Sequence, residues 1–182
     1  MLGMHWAGRN PEKVRRLVIL NTGAFHLPKS KPLPWSLWLG RNTRLGTWLT
    51  RSRNWFCKKA LKWCVKRKPL PDEVKRMYLL PYDTWDHRLA VLKFVQTIPL
   101  KPTDPGYDIV SETEADLAKL KEKPTLICWG MKDFVFDEHF LNVWREKCPN
   151  AEVKPFPDCG DHLREDAGHG VRSLVRDFLG RT

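Results

Sequence analysis

Pro124-Thr125-Leu126-Ile127-Cys128-Trp129-Gly130-Met131-Lys132-Asp133 is an apolar run of strand length, stopped by a glycine and followed by a polar turn that ends on an acid. So short and apolar a run, with β-branched and aromatic members, reads as a strand covered on both faces, the kind found in parallel sheets flanked by helices. Its neighbours agree. Residues 111–120 before it carry acids early, with Lys119, Lys121 and Lys123 late, the order a helix dipole favours. After it, residues 140–147 read as a helix, 151–156 as a strand and 171–179 as a closing amphipathic helix. Near the start, an apolar helix tail and the stop signal Asn10-Pro11-Glu12 lead into a second buried strand, Leu17-Val18-Ile19-Leu20. This alternation makes the fold α/β with a parallel sheet. In such sheets the chemistry lies on loops at the carboxyl ends of the strands, here Asn21-Thr22, residues 130–133 and residues 158–162.

Between the strands the chain changes character. From Phe25 to Pro99, prolines at 28, 32, 34, 69, 71 and 81 punctuate segments rich in Trp, Leu, Lys and Arg, with no strand-like alternation. Leu45, Trp48, Leu49, Phe56, Ala60, Trp63 and Cys64 recur at helical spacing among Arg51, Arg53, Lys58, Lys59, Lys62 and Lys66, a basic amphipathic region. A further helix is expected after Pro71-Asp72-Glu73, and another near residues 86–94. The organisation is therefore core over residues 1–24, an all-helical insert over 25–100 and core again over 101–182.

The formal charge is +11, unevenly distributed: residues 1–80 hold 18 Lys/Arg against Glu12, Asp72 and Glu73, while residues 81–182 have a net charge of −4. Such a basic half is either a solvated face or one that meets an anionic surface. No nucleic-acid-binding module accompanies the charge, so no nucleic-acid partner is expected. A peripheral contact with anionic lipid is compatible with Lys and Arg stems snorkelling around a Trp/Leu face. At 11% aromatic and 42% hydrophobic, the chain can fill a core, which excludes disorder as its main state. Its apolar runs are too short to span a bilayer, and residues 1–9 are not a secretion signal, so the expected location is the cytoplasm. The odd count of 5 Cys, without C-x-x-C or paired His at zinc spacing, points away from a disulfide framework or a structural zinc motif.

Asp133 follows the decisive strand, where a carboxylate either caps the turn or orients an imidazole. His162 follows the next strand in Asp158-Cys159-Gly160-Asp161-His162. A strand-end acid followed by a strand-end His is the rear part of the nucleophile–acid–His order. The chain resembles the α/β-hydrolases of the haloalkane dehalogenase-like group, and within it the β-lactone (oxetanone) decarboxylases of bacterial olefin biosynthesis. Gly3-Met4, Trp6-Ala7, Asn10-Pro11-Glu12 and Arg16-Leu17-Val18-Ile19-Leu20-Asn21-Thr22 carry the resemblance in the first part. Leu79-Leu80-Pro81-Tyr82-Asp83-Thr84-Trp85, Arg88, Phe94 and Ile98-Pro99 carry it in the insert, and Cys128-Trp129-Gly130-Met131-Lys132-Asp133 with Glu165-Asp166-Ala167 near the end. It implies a C-terminal part of the hydrolase fold with a helical cap over an apolar substrate pocket, Asp133 as the acid and His162 as the base. It implies no metal and no cofactor. Trp35, Trp38 and Trp55 in the cap either line a substrate channel or pack.

Two departures from the family stand out. Relatives carry an Asp nucleophile on a D-W-G-G elbow; by similarity Met1 is the residue after that motif, and no Asp occurs before Asp72. The resemblance thus implies a fragment that is inactive alone, completed by an N-terminal portion encoded upstream. The family's G-H-[FY]-x-x-E-D also reads here as Gly160-Asp161-His162-Leu163-Arg164-Glu165-Asp166, with Asp161 in the place of the His. Asn21 stands where some relatives carry their acid, which agrees with Asp133 in that role. A basic membrane-surface module and a non-catalytic hydrolase-like scaffold are the other readings these residues allow.

Overall fold

In the computed structural model, which describes residues 1–181, helix α1 (Leu2–Arg9) and a 3₁₀ turn (Pro11–Lys13) lead into strand β1 (Leu17–Leu20). A helical segment follows: α2 (Trp35–Asn42), α3 (Arg44–Arg53), α4 (Trp55–Trp63), α5 (Asp72–Leu79) and α6 (Leu89–Gln96). Then come α7 (Tyr107–Asp116), β2 (Thr125–Gly130), α8 (Glu138–Lys147), β3 (Glu152–Phe156) and α9 (Leu163–Arg181). The strands form a parallel sheet in the order β1-β2-β3, with Leu17 beside Thr125 and Leu126 beside Glu152. No helix among the described residues is long and apolar enough to cross a membrane.

The period-two geometry of a strand splits β2 between two cores. Ile127 and Trp129, with Ile19, face Phe25 and the α8 residues Phe140, Leu141 and Trp144. Leu126 and Cys128 face Leu163, Val171 and Phe178 on α9. Every β2 residue is buried, which is why its sequence shows no polar alternation. Trp144 is completely enclosed, lies edge-on to Phe25 and donates its indole N–H to Thr22 O at 2.8 Å, fixing the chain as it leaves β1.

The sequence reading placed most elements but not helix α2, and three boundaries moved. The basic stretch of residues 45–64 is two helices, broken at Asn54, whose φ of 50° puts it in the left-handed region that Asn tolerates. Asn54 also donates to Tyr82 O at 2.9 Å, which holds the corner in place. Helix α7 starts at Tyr107, ahead of residue 111, because Gly106 at φ 81° supplies the left-handed residue preceding it. Helix α9 begins at Leu163, well before residue 171, and bends at Ala167, whose φ of −135° is non-helical. Gly168 and Gly170 beside the bend lower helix propensity, so periodicity became visible only beyond them.

Candidate active site

The carboxyl ends of the three strands meet on one rim. Asn21, just after β1, is buried and pinned across to β2: its Nδ2 donates to Gly130 O and to Asp133 Oδ2, both at 3.0 Å, and its Oδ1 accepts from Gly130 N at 2.7 Å. Asp133 Oδ1 accepts from Val135 N at 2.7 Å. Both oxygens of this carboxylate are therefore fixed, and Asp133 both caps its turn and faces the rim. Lys132 N donates to Cys159 O at 2.8 Å, stitching the loop after β2 to the loop after β3. Gly130 is required for that approach: a Cβ there would collide with the Gly160 carbonyl.

The loop after β3 carries Asp161 and His162. Asp161, the residue in the family's histidine place, lies beside the Asp133 carboxyl and the Cys64 thiol and acts on both. His162 points differently: its Nε2 lies 3.9 Å from Asp161 Oδ2, its ring stacks on Tyr78 with centroids 5.7 Å apart, and its buried Nδ1 has no hydrogen-bond partner. The sequence-predicted pair, Asp133 and His162, thus reaches the same rim, and Asp161 is the neighbour that meets Asp133. His169 is exposed on α9.

This loop is tied to the helical segment. The Asp166 carboxylate accepts from Gly160 N at 2.8 Å, Lys66 N at 2.9 Å and Arg67 N at 2.9 Å. His162 N donates to Cys64 O at 3.0 Å, and Tyr78 OH donates to Glu165 Oε1 at 2.7 Å. Gly160 packs so closely on the Cys64 carbonyl that a Cβ would not fit. Cys64, Tyr78 and Asp166 had no assigned role in the sequence; only Asp166 carried a signal, as the final acid of the Glu165-Asp166 pair.

The electrostatics follow chiefly from burial. Burial, and then the neighbouring Asp161, push the Asp133 carboxyl up to about 7. Burial raises Asp161 as well and drives the Cys64 thiol up to about 12, with Asp161 and Asp133 adding to the latter. Burial also lowers the His162 imidazole, so it is neutral when the carboxyl pair loses its proton. The arrangement can hold one proton between two carboxyls and present a neutral imidazole beside them. Cys64, Asp161 and His162 also bring one ligand-type atom each within 4.8 Å of one another.

Above this rim lies an apolar cavity of about 330 Å³ between the helical segment and the sheet, walled by Trp55, Trp63, Phe94, Phe134 and Phe136, with Asp161 and His162 at its polar end. Trp55 of the three tryptophans singled out from sequence lies in the wall. Trp35 packs behind it, 6.2 Å from Trp55 and 6.1 Å from Trp63 between ring centroids, and stays 64% exposed. Trp38 lies outside the wall and is 53% exposed.

Residues 1–167 match the α/β hydrolase fold family. Over 182 residues the chain is 50% identical to a cis-3-alkyl-4-alkyloxetan-2-one decarboxylase of Shewanella oneidensis, and over 181 residues 39% identical to one of Xanthomonas campestris. All of this chain is covered in both alignments, but it spans only 57% and 60% of those relatives. Among solved structures, the haloalkane dehalogenase DbeA of Bradyrhizobium elkani superposes with a TM-score of 0.82 at 21% identity, covering 98% of this chain and 63% of that one. The haloalkane dehalogenase DatA of Agrobacterium tumefaciens gives 0.81 at 22% identity, covering 98% and 62%. At these identities the likeness is one of fold.

Proposed function

The chain belongs to the α/β-hydrolase fold family, and from that premise we propose that it is the acid-and-histidine part of an enzyme acting on a β-lactone or a related electrophile in an apolar substrate. One observation carries the reading: Asp161 and His162, on the loop after β3, border a cavity lined mainly by aromatic and aliphatic side chains, and the carboxyl of Asp133, from the loop after the neighbouring strand β2, lies beside Asp161. An apolar pocket with a few convergent polar groups of shifted pKa is the expected form of such a site.

In this reading the attacking carboxylate comes from polypeptide outside these 182 residues. That Asp opens the substrate at an electrophilic carbon and forms an ester, and His162 then takes a proton as the intermediate breaks down. Asp133, held by Asn21 and Val135 N, supplies the fixed negative end. The outer edge of β1 pairs with no strand among the described residues, which leaves room for that polypeptide. Alone, the chain is inactive. We place it in the cytoplasm, without a nucleic-acid partner.

A second reading, a hydrolase-like scaffold without catalysis, is favoured by Asp161 itself, since a carboxyl facing a carboxyl orients no imidazole. The exposed Trp35, Trp38, Leu45 and Trp48 of the basic helical segment are compatible with either protein resting on an anionic membrane.

The test is a chimera that joins the N-terminal remainder of the Shewanella relative to this chain, assayed for carbon dioxide and alkene from a cis-3,4-dialkyl β-lactone. Turnover by the chimera and none by the chain alone is the expected result. A folded chimera that binds the lactone yet stays inactive, and that Asp161→His activates, would establish the scaffold reading instead.

A further inference from the structure

Spacing along the chain shows no metal motif, but folding brings Cys64 from the end of α4 to Asp161 and His162 on the loop after β3. We propose that these three side chains bind a divalent cation of the zinc class, clamping the helical segment to the core. This goes beyond the proposed hydrolase chemistry and does not depend on it.

The donor set is specific. A thiolate, an imidazole and a carboxylate together suit a borderline-soft ion, whereas magnesium and calcium prefer all-oxygen shells. Bonds of roughly 2.0–2.3 Å in a tetrahedral site put donor atoms about 3.3–3.8 Å apart. Donors already within 4.8 Å of one another therefore need only a small contraction. The segments that carry them are fixed to each other: His162 N donates to Cys64 O at 3.0 Å, and Asp166 accepts from Gly160 N, Lys66 N and Arg67 N.

Lys66 acts on the Cys64 thiol and Arg164 on His162, but among the described residues neither forms an ion pair with Asp133 or Asp161. Asp133 has no ion pair among the described residues, and the nearest candidate cation to Asp161 is His162 at 3.9 Å. The buried Nδ1 of His162 has no partner. A dication would compensate the carboxyl pair and engage the imidazole at once. Because Asp161 and His162 border the aromatic cavity, a fourth coordination position would face it. On binding, the Cys64 S–H bond breaks, a sulfur–metal bond forms and the proton leaves to solvent, with no change of oxidation state.

The experiment titrates the chelator-stripped chain with cobalt(II), followed by optical absorption, and then displaces the cobalt with zinc(II). Expected are a saturable thiolate-to-cobalt charge-transfer band at one ion per chain, its loss on zinc addition, and a rise in the thermal midpoint with zinc. Cys64→Ser should abolish the band, and Cys57→Ser should leave it intact. Should Cys64→Ser fail to fold, Asp161→Asn and His162→Ala keep the thiol and are each expected to weaken cobalt binding at least about tenfold. A chain that shows no band, a band that survives Cys64→Ser in folded protein, or affinity unchanged in both remaining variants would overturn the site. None of these readouts is turnover, so the site is tested apart from the hydrolase reading, although a His162 held by the ion would not be free to take the proton that reading assigns to it.

Discussion

Asp161→Asn should make the metal-free protein more stable, and only above the pH at which the carboxyl pair ionises. Asp133 is 3% exposed and its carboxyl is pushed from 3.8 to about 7, first by burial and then by Asp161. A raised acid pKa means that the folded chain binds its proton more tightly than the unfolded chain. That contribution is complete below pH 4 and is lost as pH rises through 7. At 1.36 kcal/mol per pKa unit, the shift of Asp133 corresponds to a loss on the order of 4 kcal/mol between pH 4 and pH 8. The asparagine removes the second of the two causes together with Asp161's own costly ionisation. We expect a gain of about 2 kcal/mol at pH 8, or about 4–8 °C in thermal midpoint for a chain of this size, and none at pH 4. His162 is depressed in the folded state and contributes the opposite slope; because its Nε2 lies 3.9 Å from Asp161 Oδ2, its titration is followed separately in both proteins by the NMR signals of its ring. The Cys64 thiol, at about 12, does not titrate in this window. Urea unfolding of both proteins from pH 4 to 8 in the presence of a chelator measures the difference directly. Parallel stability–pH curves would show that the two carboxyls do not confront each other, and the reasoning would fail.

Other substitutions probe the same frame. Asp166→Ala strands the amide N–H groups of Gly160, Lys66 and Arg67, and should cost on the order of 3–5 kcal/mol in urea unfolding. Trp144→Ala empties the space between Phe25 and β1 and should cost about 3–5 kcal/mol by the same measurement, with a loss of near-UV circular dichroism. Gly160→Ala drives a methyl group into the Cys64 carbonyl; a midpoint unchanged within about 1 °C would contradict the close packing of these two segments.

The fold was legible because β2 is buried on both faces. Full burial forces continuous apolarity, and continuous apolarity is what a reader of the sequence can see. Asp133 was legible for a related reason: it directly follows that strand, so its place on the rim comes from topology alone. Cys64 was not, because 97 residues separate it from Asp161, and nothing in its own neighbourhood of lysines marks a thiol that ends beside a carboxyl. The positions of Trp35, Trp38 and Trp55 escaped for another reason. Trp35 and Trp38 belong to α2 and Trp55 to α4, and the breaks between these helices, at Thr43 and at Asn54 with its φ of 50°, set which of them meets the cavity and leave no periodic trace.

The contacts around Asp161 also constrain how the helical segment and the rim of strand ends can move. The carboxylate of Asp166 receives N–H groups from both sides of the junction, from Lys66 and Arg67 on one and Gly160 on the other. Tyr78, which belongs to α5 in the helical segment, stacks on His162 and bonds Glu165. Any hinge that opened the helices at this end would have to break these bonds or carry the loop of Asp161 and His162 with it. Three charge-assisted bonds to one buried carboxylate are far costlier to break together than one at a time, so the loop should travel with the helices. Opening toward solvent is then easier where the cavity wall is outside this set of bonds, as at Phe94, which is 77% exposed and borders the same space.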